Sequence, residues 1–504
     1  MLIFNRFRPQ DVDRHPLPKP EIDCPISPDA VRGLFSGCGD FIGREVAAGG
    51  TGAALFVCWI DGTVSGSDVA EQVLRPLTDP ARFGGAKTPG DAAALLDRGA
   101  AYGSDMKRVE TMDEVIDALS CGNCAAVFDG TAFLFQVKSD QHRTVQEPSI
   151  EKSVKGSKDA FVESLRVNTG LLRSRLRTPK LKLVQTTVGR KSRTAAAVMW
   201  LEGAAAPELP QELLRRLDSL DVDGLILPDT LDSGLCDAPR SPFPQLIHTE
   251  RPDKLAMALL DGRAAVLAEG IPVAFIAPAS LPEFMKTNED GSQHYLAASA
   301  IRLLRWLAFA ITLLLPALYV SIAMFHAEMI PTELLLSVID SKQSVPFSTS
   351  AEILGMLIAF ELLQEAGLRL PDPVGHTVSI IGALIVGQSA VEAQVISPIA
   401  VIVVALAGIA GYTMPSQDMG TALRLCRFAL TVAASLAGLF GIVVGVTFII
   451  WHLCSLESFG RAYVSTAFAG QGKTGSQAVF LRRPPWTDKL RDASINGGDI
   501  RRQA

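Results

Sequence analysis

The amino-acid sequence predicts an α+β membrane protein: two related α/β cytoplasmic subdomains followed by an all-α transmembrane domain. Two observations carry this expectation. From Met1 to about Ala300 charged and apolar residues alternate as in a water-soluble chain, whereas from Leu303 to Leu453 long apolar runs dominate. Within the first part, ALFVCWIDG (Ala54–Gly62) matches AAAVMWLEG (Ala195–Gly203) at an offset of 141, and DEVIDALSCGNCAAVFDGTAFLF (Asp113–Phe135) matches DKLAMALLDGRAAVLAEGIPVAF (Asp253–Phe275) at an offset of 140.

A length of 504 residues exceeds what one hydrophobic core organises, so several structural units are expected. The formal net charge of -6 supplies no overall basic field, and no nucleic-acid partner is expected. The eight cysteines lack the dense spacing of a small secreted disulfide scaffold and suit a reducing, cytoplasmic setting. Residues 1–30, rich in Pro and charge and without an apolar signal-peptide core, read as a disordered, uncleaved tail.

The first α/β subdomain is placed at 31–150 and the second at 193–290. Each copy reads as a β-strand, an amphipathic helix such as PELPQELLRRLDSL (Pro207–Leu220), a second helix, and a hairpin. The hairpins turn at Asp129-Gly130 and Glu269-Gly270, because such a turn needs residues that tolerate positive φ. Between the copies, 151–192 reads as a basic helical linker. Phe161, Leu165, Leu172 and Leu176 share one helical face among Lys155, Lys158, Arg166, Arg173, Arg175 and Arg177, up to a break at Pro179. That helix either meets anionic lipid headgroups or a neighbouring subunit, or packs its apolar stripe on the adjacent subdomain.

No catalytic constellation stands out. Cys121-Gly-Asn-Cys124 has redox or half-zinc spacing but lacks a second pair. The histidines lie apart without HxxxH spacing, and GxSxG is absent. No enzyme activity, cofactor or metal is therefore expected. His326 and His452, each at the end of an apolar run, read as membrane-interface residues.

In the transmembrane helical domain, 300–455, Trp306–Phe325 is long enough as a helix to cross the ~30 Å hydrocarbon layer. Arg302, Arg305 and Trp306 read as membrane-anchoring residues, and the positive-inside rule then keeps the first half in the cytoplasm. The tail 456–504 is basic and is expected to be cytoplasmic as well. Two cytoplasmic ends demand an even number of crossings, yet the apolar segments are 306–325, 351–367, 378–391, 395–414 and 428–453. One of them is therefore expected to be re-entrant or interfacial. The acidic 351–367, with Glu361, Gln364 and Glu365 on one face, is the first choice. The segment 428–453 carries a Gly441-xxx-Gly445 pair suited to close helix packing.

SIIGALIVGQSAVEAQVIS (Ser379–Ser397) is apolar, broken by glycines, and carries Gln388, Glu392 and Gln394. Polar groups and irregular backbone at membrane depth persist where they face protein or water. Val386, Gln388, Ser389 and Glu392 are accordingly pore-lining candidates, with a tightly packed central helix as the alternative. One chain with so few spans encloses no obvious pore, so lining one implies a cyclic homo-oligomer.

The chain resembles the A subunits of bacterial spore germinant receptors, the GerA family, including its stage V sporulation paralogues. The similarity runs from about Phe41 to Trp486. It is carried by FIGREVAAGGTGAALFVCWIDG, EPSIEKSVKGSKDAFVESLRVNTGLLRSRLRTPKLK, SPFPQLIHTERPDKLAMALLDGRAAVLAEGIPVAFI, LPALYVSIAMFHAEMIPTELL, AGLRLPDPVGHTVSIIGALIVGQSAVEAQVISPIAVIVVALAGIAGYTMPS, LRLCRFAL and HLCSLESFG. After SFG the chain departs from the family pattern at Arg461-Ala462-Tyr463 and Thr466. The resemblance implies an integral, multi-pass protein of the inner spore membrane, with its soluble half facing the spore core. It implies a permease-like B subunit and a lipoprotein C subunit as partners, and a role as the oligomeric ion-conducting part of a nutrient-sensing receptor. A secondary transporter and a nonconducting scaffold are the competing classes. Transporters often carry an inverted repeat of broken membrane helices, whereas the repeat here lies in the soluble half.

Overall fold

The computed structural model describes residues 22, 24–50, 52–101, 106–138, 148, 151, 155–369, 387–464, 479–487, 498 and 499. The chain divides into two units. One comprises Met1–Glu151, Lys158–Pro228 and Thr249–Ala274, and the other comprises Lys152–Ser157, Asp229–His248 and Phe275–Ala504.

The first copy is built on strands β1 (Phe41–Ala47), β2 (Ala54–Ile60), β3 (Met106–Val109), β4 (Asn123–Phe128) and β5 (Thr131–Gln136). They form a sheet in the order β1-β2-β4-β5-β3. The second copy uses β6 (Leu181–Val188), β7 (Thr194–Leu201), β8 (Ile247–Thr249), β9 (Ala264–Ala268) and β10 (Ile271–Ala277). Its order, β6-β7-β9-β10-β8, follows the same path. The two Trp-x-acid-Gly repeats thus occupy the same position in two sheets, one at the end of β2 and the other at the end of β7.

Strand periodicity explains why β2 reads as an almost unbroken apolar run. Leu55, Val57 and Trp59 enter one buried cluster, while Phe56, Cys58 and Ile60 enter another. Alternate side chains point to opposite faces, so this sheet is covered on both. The predicted hairpin turns are present, with Gly130 at φ 84° and Gly270 at φ 79°, a region glycine enters without steric cost.

The stretch 151–192 is only partly helical. Helix α1 (Leu165–Arg175) is followed by β6, which belongs to the second sheet. Phe161, Leu165, Leu172 and Leu176 are all buried. The basic residues of α1 are spent internally: Arg166 meets Asp61 at 2.8 Å, Arg175 meets Asp159 at 2.6 Å, and Arg173 grips Asp40 through two hydrogen bonds of 2.7 and 2.8 Å. Packing on the adjacent subdomain is therefore how this helix is used in the single chain.

The second unit carries helices α2 (Tyr295–Phe325), α3 (Thr332–Lys342), α4 (Thr349–Arg369), α5 (Pro398–Tyr412) and α6 (Gln417–Ser455). By length and composition α2 and α6 are long and apolar enough to cross a membrane. The second of these is not one straight rod. At Gly438 the backbone takes φ 59° and ψ -139°, outside any helix. A Cβ on Gly445 would lie 2.5 Å from a methyl of Leu430, and one on Gly441 would lie 2.1 Å from the Ala433 carbonyl. Asp418 hydrogen-bonds His248 while His452 hydrogen-bonds Ser241, and those partners are only seven residues apart in the chain. A straight helix would separate Asp418 from His452 by about 50 Å, but seven residues reach at most about 25 Å. The element is a helical hairpin with arms 417–437 and 439–455.

The run 428–453, read from sequence as one span, is folded back on itself. The acidic segment is a full member of the bundle, since Ile353 and Leu357 of α4 are completely buried. Taking the end of the unit at His248 and Ser241 as near, α2 runs outward to Phe325, which packs on Gly438. Helix α4 returns from Glu352, beside Ser397, to Glu361, beside Arg427. Helix α5 descends from Ser397 to Tyr412, next to Phe360, and the hairpin of α6 goes out and back. Of the expected segment 378–391, residues 378–386 lie outside the described residues.

Candidate functional site

The candidate site lies where the bundle carries polar groups. Of the four pore-lining candidates, Val386 falls outside the described residues. Gln388, Ser389 and Glu392 are exposed on a helical stretch at 387–392, and Gln388 Nε2 donates to Glu392 Oε1 at 2.9 Å across one turn. Gly387 is buried, with room for a Cβ only in contact with Val401. The stretch ends at Gln394, whose φ of 56° is left-handed, while Val395 and Ile396 return their N–H groups to the Ala390 carbonyl. This is a helix stop of the kind that normally uses glycine or asparagine. It holds the exposed Gln388–Glu392 pair directly before the cap of α5.

That cap is anchored by a buried acid. Ser397 caps α5, and its N–H and hydroxyl donate to Glu352 Oε2 at 3.1 and 2.7 Å. Glu352 is 3% exposed and its Oε1 has no partner. The buried Tyr319 hydroxyl lies beside the same Ser397 side chain and feels the charge of Glu352. Lys342, which donates to Thr349 Oγ1, lies within the field of the same carboxylate.

The three residues read as membrane anchors are not alike. Arg302 and Arg305 are buried around Asp290, with Arg305 bidentate at 2.9 Å on both oxygens and Arg302 at 3.2 Å. Burial alone would raise the Asp290 carboxyl, but the Arg305 guanidinium outweighs it and holds the group below its ordinary range. Trp306 stacks obliquely on Phe480, with ring centroids 5.2 Å apart. The tail beyond α6 is also tied into this unit. Ser458 Oγ donates to the Gln245 carbonyl at 2.9 Å, and Tyr463, completely buried beside Phe284, accepts from Leu281 N–H at 3.0 Å.

Two charged arrangements escape a linear reading. His248 lies between two carboxylates, with Nδ1 2.8 Å from Asp418 and Nε2 3.1 Å from Asp232. A neutral imidazole donates only one N–H, so both contacts together require the imidazolium. Burial pulls this group down, but the two carboxylates reverse the effect and push it up to about 9. Its ring meets Phe275 edge-on at 5.0 Å. On α4, Glu361 meets Arg427 at 2.7 Å and Arg424 at 3.3 Å. The sequence signal for this triad was charge inside apolar runs, which implies partners. His248 gave no such signal, because Asp418 lies 170 residues away.

Cys124 is buried in β4, where burial pushes its thiol up, and Cys121 ends the preceding helix. Among the described residues no group of three or more His, Cys, Asp or Glu converges as metal ligands would.

Comparison with known proteins places these features in context. The sequence pattern described as "Bacillus/Clostridium GerA spore germination protein" matches residues 29–494. The chain is 34% identical over 489 residues to the "Uncharacterized membrane protein YfkQ" of Bacillus subtilis, covering 95% of this chain and 93% of the relative. It is 35% identical to "Spore germination protein KA" of the same organism, covering 92% and 85%, and 31% identical to "Spore germination protein GerLA" of Bacillus cereus, covering 88% and 89%. A solved structure, the N-terminal domain of the A subunit of the Bacillus megaterium spore germinant receptor GerK3, aligns at 23% identity with a TM-score of 0.38 over 50% of this chain and 92% of that one.

Proposed function

Since the chain belongs to the GerA family of spore germination proteins, we propose that it is the A subunit of a nutrient-sensing germination receptor and the oligomeric, ion-conducting component of that receptor. It sits as a multi-pass protein in the inner spore membrane, with the α/β half in the spore core, and works with a permease-like B subunit and a lipoprotein C subunit. Relatives named as spore germination proteins and as a membrane protein support the setting. The observation that carries conduction is the exposed Gln388–Glu392 pair within an apolar helical unit. Such groups are costly against lipid and persist beside water or a second copy. Copies arranged about an axis would turn each Glu392 into a ring that favours cations.

The test is ion flux. Vesicles holding the three subunits together should release a trapped monovalent cation on adding nutrient, and vesicles lacking this chain should not. Nutrient-triggered flux from the B and C subunits alone would reduce this chain to a nonconducting scaffold. Uptake of nutrient against its gradient would make the assembly a transporter.

A further inference from the structure

The triad on α4 and the first arm of α6 does not balance. Two guanidinium groups, Arg424 and Arg427, share the single carboxylate of Glu361. Arg427 is 3% exposed and its Nε is buried without a partner, so it belongs to the interior and takes the shorter contact with the acid. Arg424 makes the longer contact and its side chain remains 30% exposed. One positive charge is left at the surface of the bundle.

The surroundings define what that charge can meet. Side chains on a helix lean towards its N-terminus, and the Arg424 guanidinium does so, donating to Thr421 Oγ1 one turn back at 2.8 Å. The Thr421 hydroxyl in turn donates to the Gln417 carbonyl at 3.1 Å, which fixes the guanidinium near the beginning of the arm, where Asp418 meets His248. Leu425, next to Arg424 in the chain, and Tyr412 and Ile409, one turn apart at the end of α5, are each at least 60% exposed. Tyr412 lies within the field of both Arg424 and Glu361. A fixed cation whose field reaches a phenol, on helices with exposed apolar side chains, matches a phosphate headgroup followed by acyl chains.

We propose that Arg424 is the headgroup site of an anionic phospholipid, with Thr421 positioning the guanidinium, Arg427 adding field from behind, and Leu425 and Ile409 flanking the acyl chains. This rests on the membrane reading above. A partner's carboxylate would satisfy the charge but would leave the exposed apolar border facing water.

The experiment uses the full chain in detergent, titrated by native mass spectrometry with phosphatidylglycerol, phosphatidylcholine and inorganic phosphate. The parent should retain phosphatidylglycerol over phosphatidylcholine. Arg424→Gln should lower that retention about fivefold, while Arg424→Lys, which keeps the charge without the fork, should lose less. Equal retention of the two lipids by the parent would overturn the proposal without any variant, as would unchanged retention in Arg424→Gln. Displacement of phosphatidylglycerol by millimolar inorganic phosphate would make this a free-anion site and overturn the lipid assignment. Flotation of the parent with phosphatidylcholine vesicles tests membrane embedding separately, because it does not depend on Arg424.

Discussion

Gly445 lies against Leu430 across the turn at Gly438, so close that any Cβ on the glycine would stand 2.5 Å from a Leu430 methyl. This contact exists only because α6 doubles back. Replacing Gly445 by Val should therefore overpack the seam and destabilise the helical unit by about 1–3 kcal/mol. Gly438→Ala, which forces a side chain into a backbone region open essentially to glycine, should cost a similar amount. Thermal unfolding of the detergent-solubilised chain measures both. Were α6 a straight span, Gly445→Val on its exposed surface would be close to neutral.

A buried charge pair gives a second prediction. Asp40 and Arg173 are at most 2% exposed and joined by two hydrogen bonds. Asp40→Asn leaves the guanidinium buried and uncompensated, an expected loss of about 3–5 kcal/mol. Removing both charges, as Asp40→Leu with Arg173→Met, should restore much of that loss. Denaturant unfolding followed through Trp59 and Trp200 reports on the two sheets. A double variant as unstable as the sum of the singles would show that the pair is held by something other than its charges.

His248 sets a pH dependence whose sign follows from its environment. Its folded-state value is about 9, above an ordinary histidine near 6.5. The stabilisation by Asp232 and Asp418 is therefore complete below about pH 6.5 and is lost as pH rises through about 9. The melting temperature of the parent should fall over that interval by more than that of His248→Gln. Equal slopes in parent and variant would show that His248 does not bear the charge its two neighbours demand.

The repeat, both Asp-Gly-type turns and the apolar stripe of α1 could be read from sequence because each is local: strand alternation, positive-φ glycine and helical spacing act within a dozen residues. The assignment of β6 to a linker failed because LKLVQTTV follows a basic helix and only its pairing with β7 identifies it. The hairpin of α6 escaped for a related reason. Gly438 looks like one of several small residues in an apolar run, and its conformation is dictated by the packing of Phe325 and by Leu430 meeting Gly445. The Arg302 and Arg305 charges were visible, but Asp290 as their shared partner was not, because a basic pair before an apolar run equally fits an interface anchor. His248, Asp232 and Asp418 meet only through tertiary structure.

The polar segment before α5 gives the last prediction. Gln388 and Glu392 are tied to each other and exposed, and the left-handed Gln394 stops their helical stretch just short of the Ser397 cap held by Glu352. If copies of this segment surround an axis, the Glu392 carboxylates form a ring whose charge sets cation preference, and Val386 narrows the path beside them. Glu392→Gln should then weaken cation over anion selectivity in vesicle flux while leaving assembly intact. Val386→Ala should leak without nutrient. Removal of two methyl groups can also cost about 1–3 kcal/mol, so leakage is to be compared at matched amounts of folded protein, with Gly445→Val as a destabilised control that leaves the segment untouched. Selectivity unchanged in Glu392→Gln, together with a tight Val386→Ala, would mean that the segment packs against protein and that ions pass elsewhere.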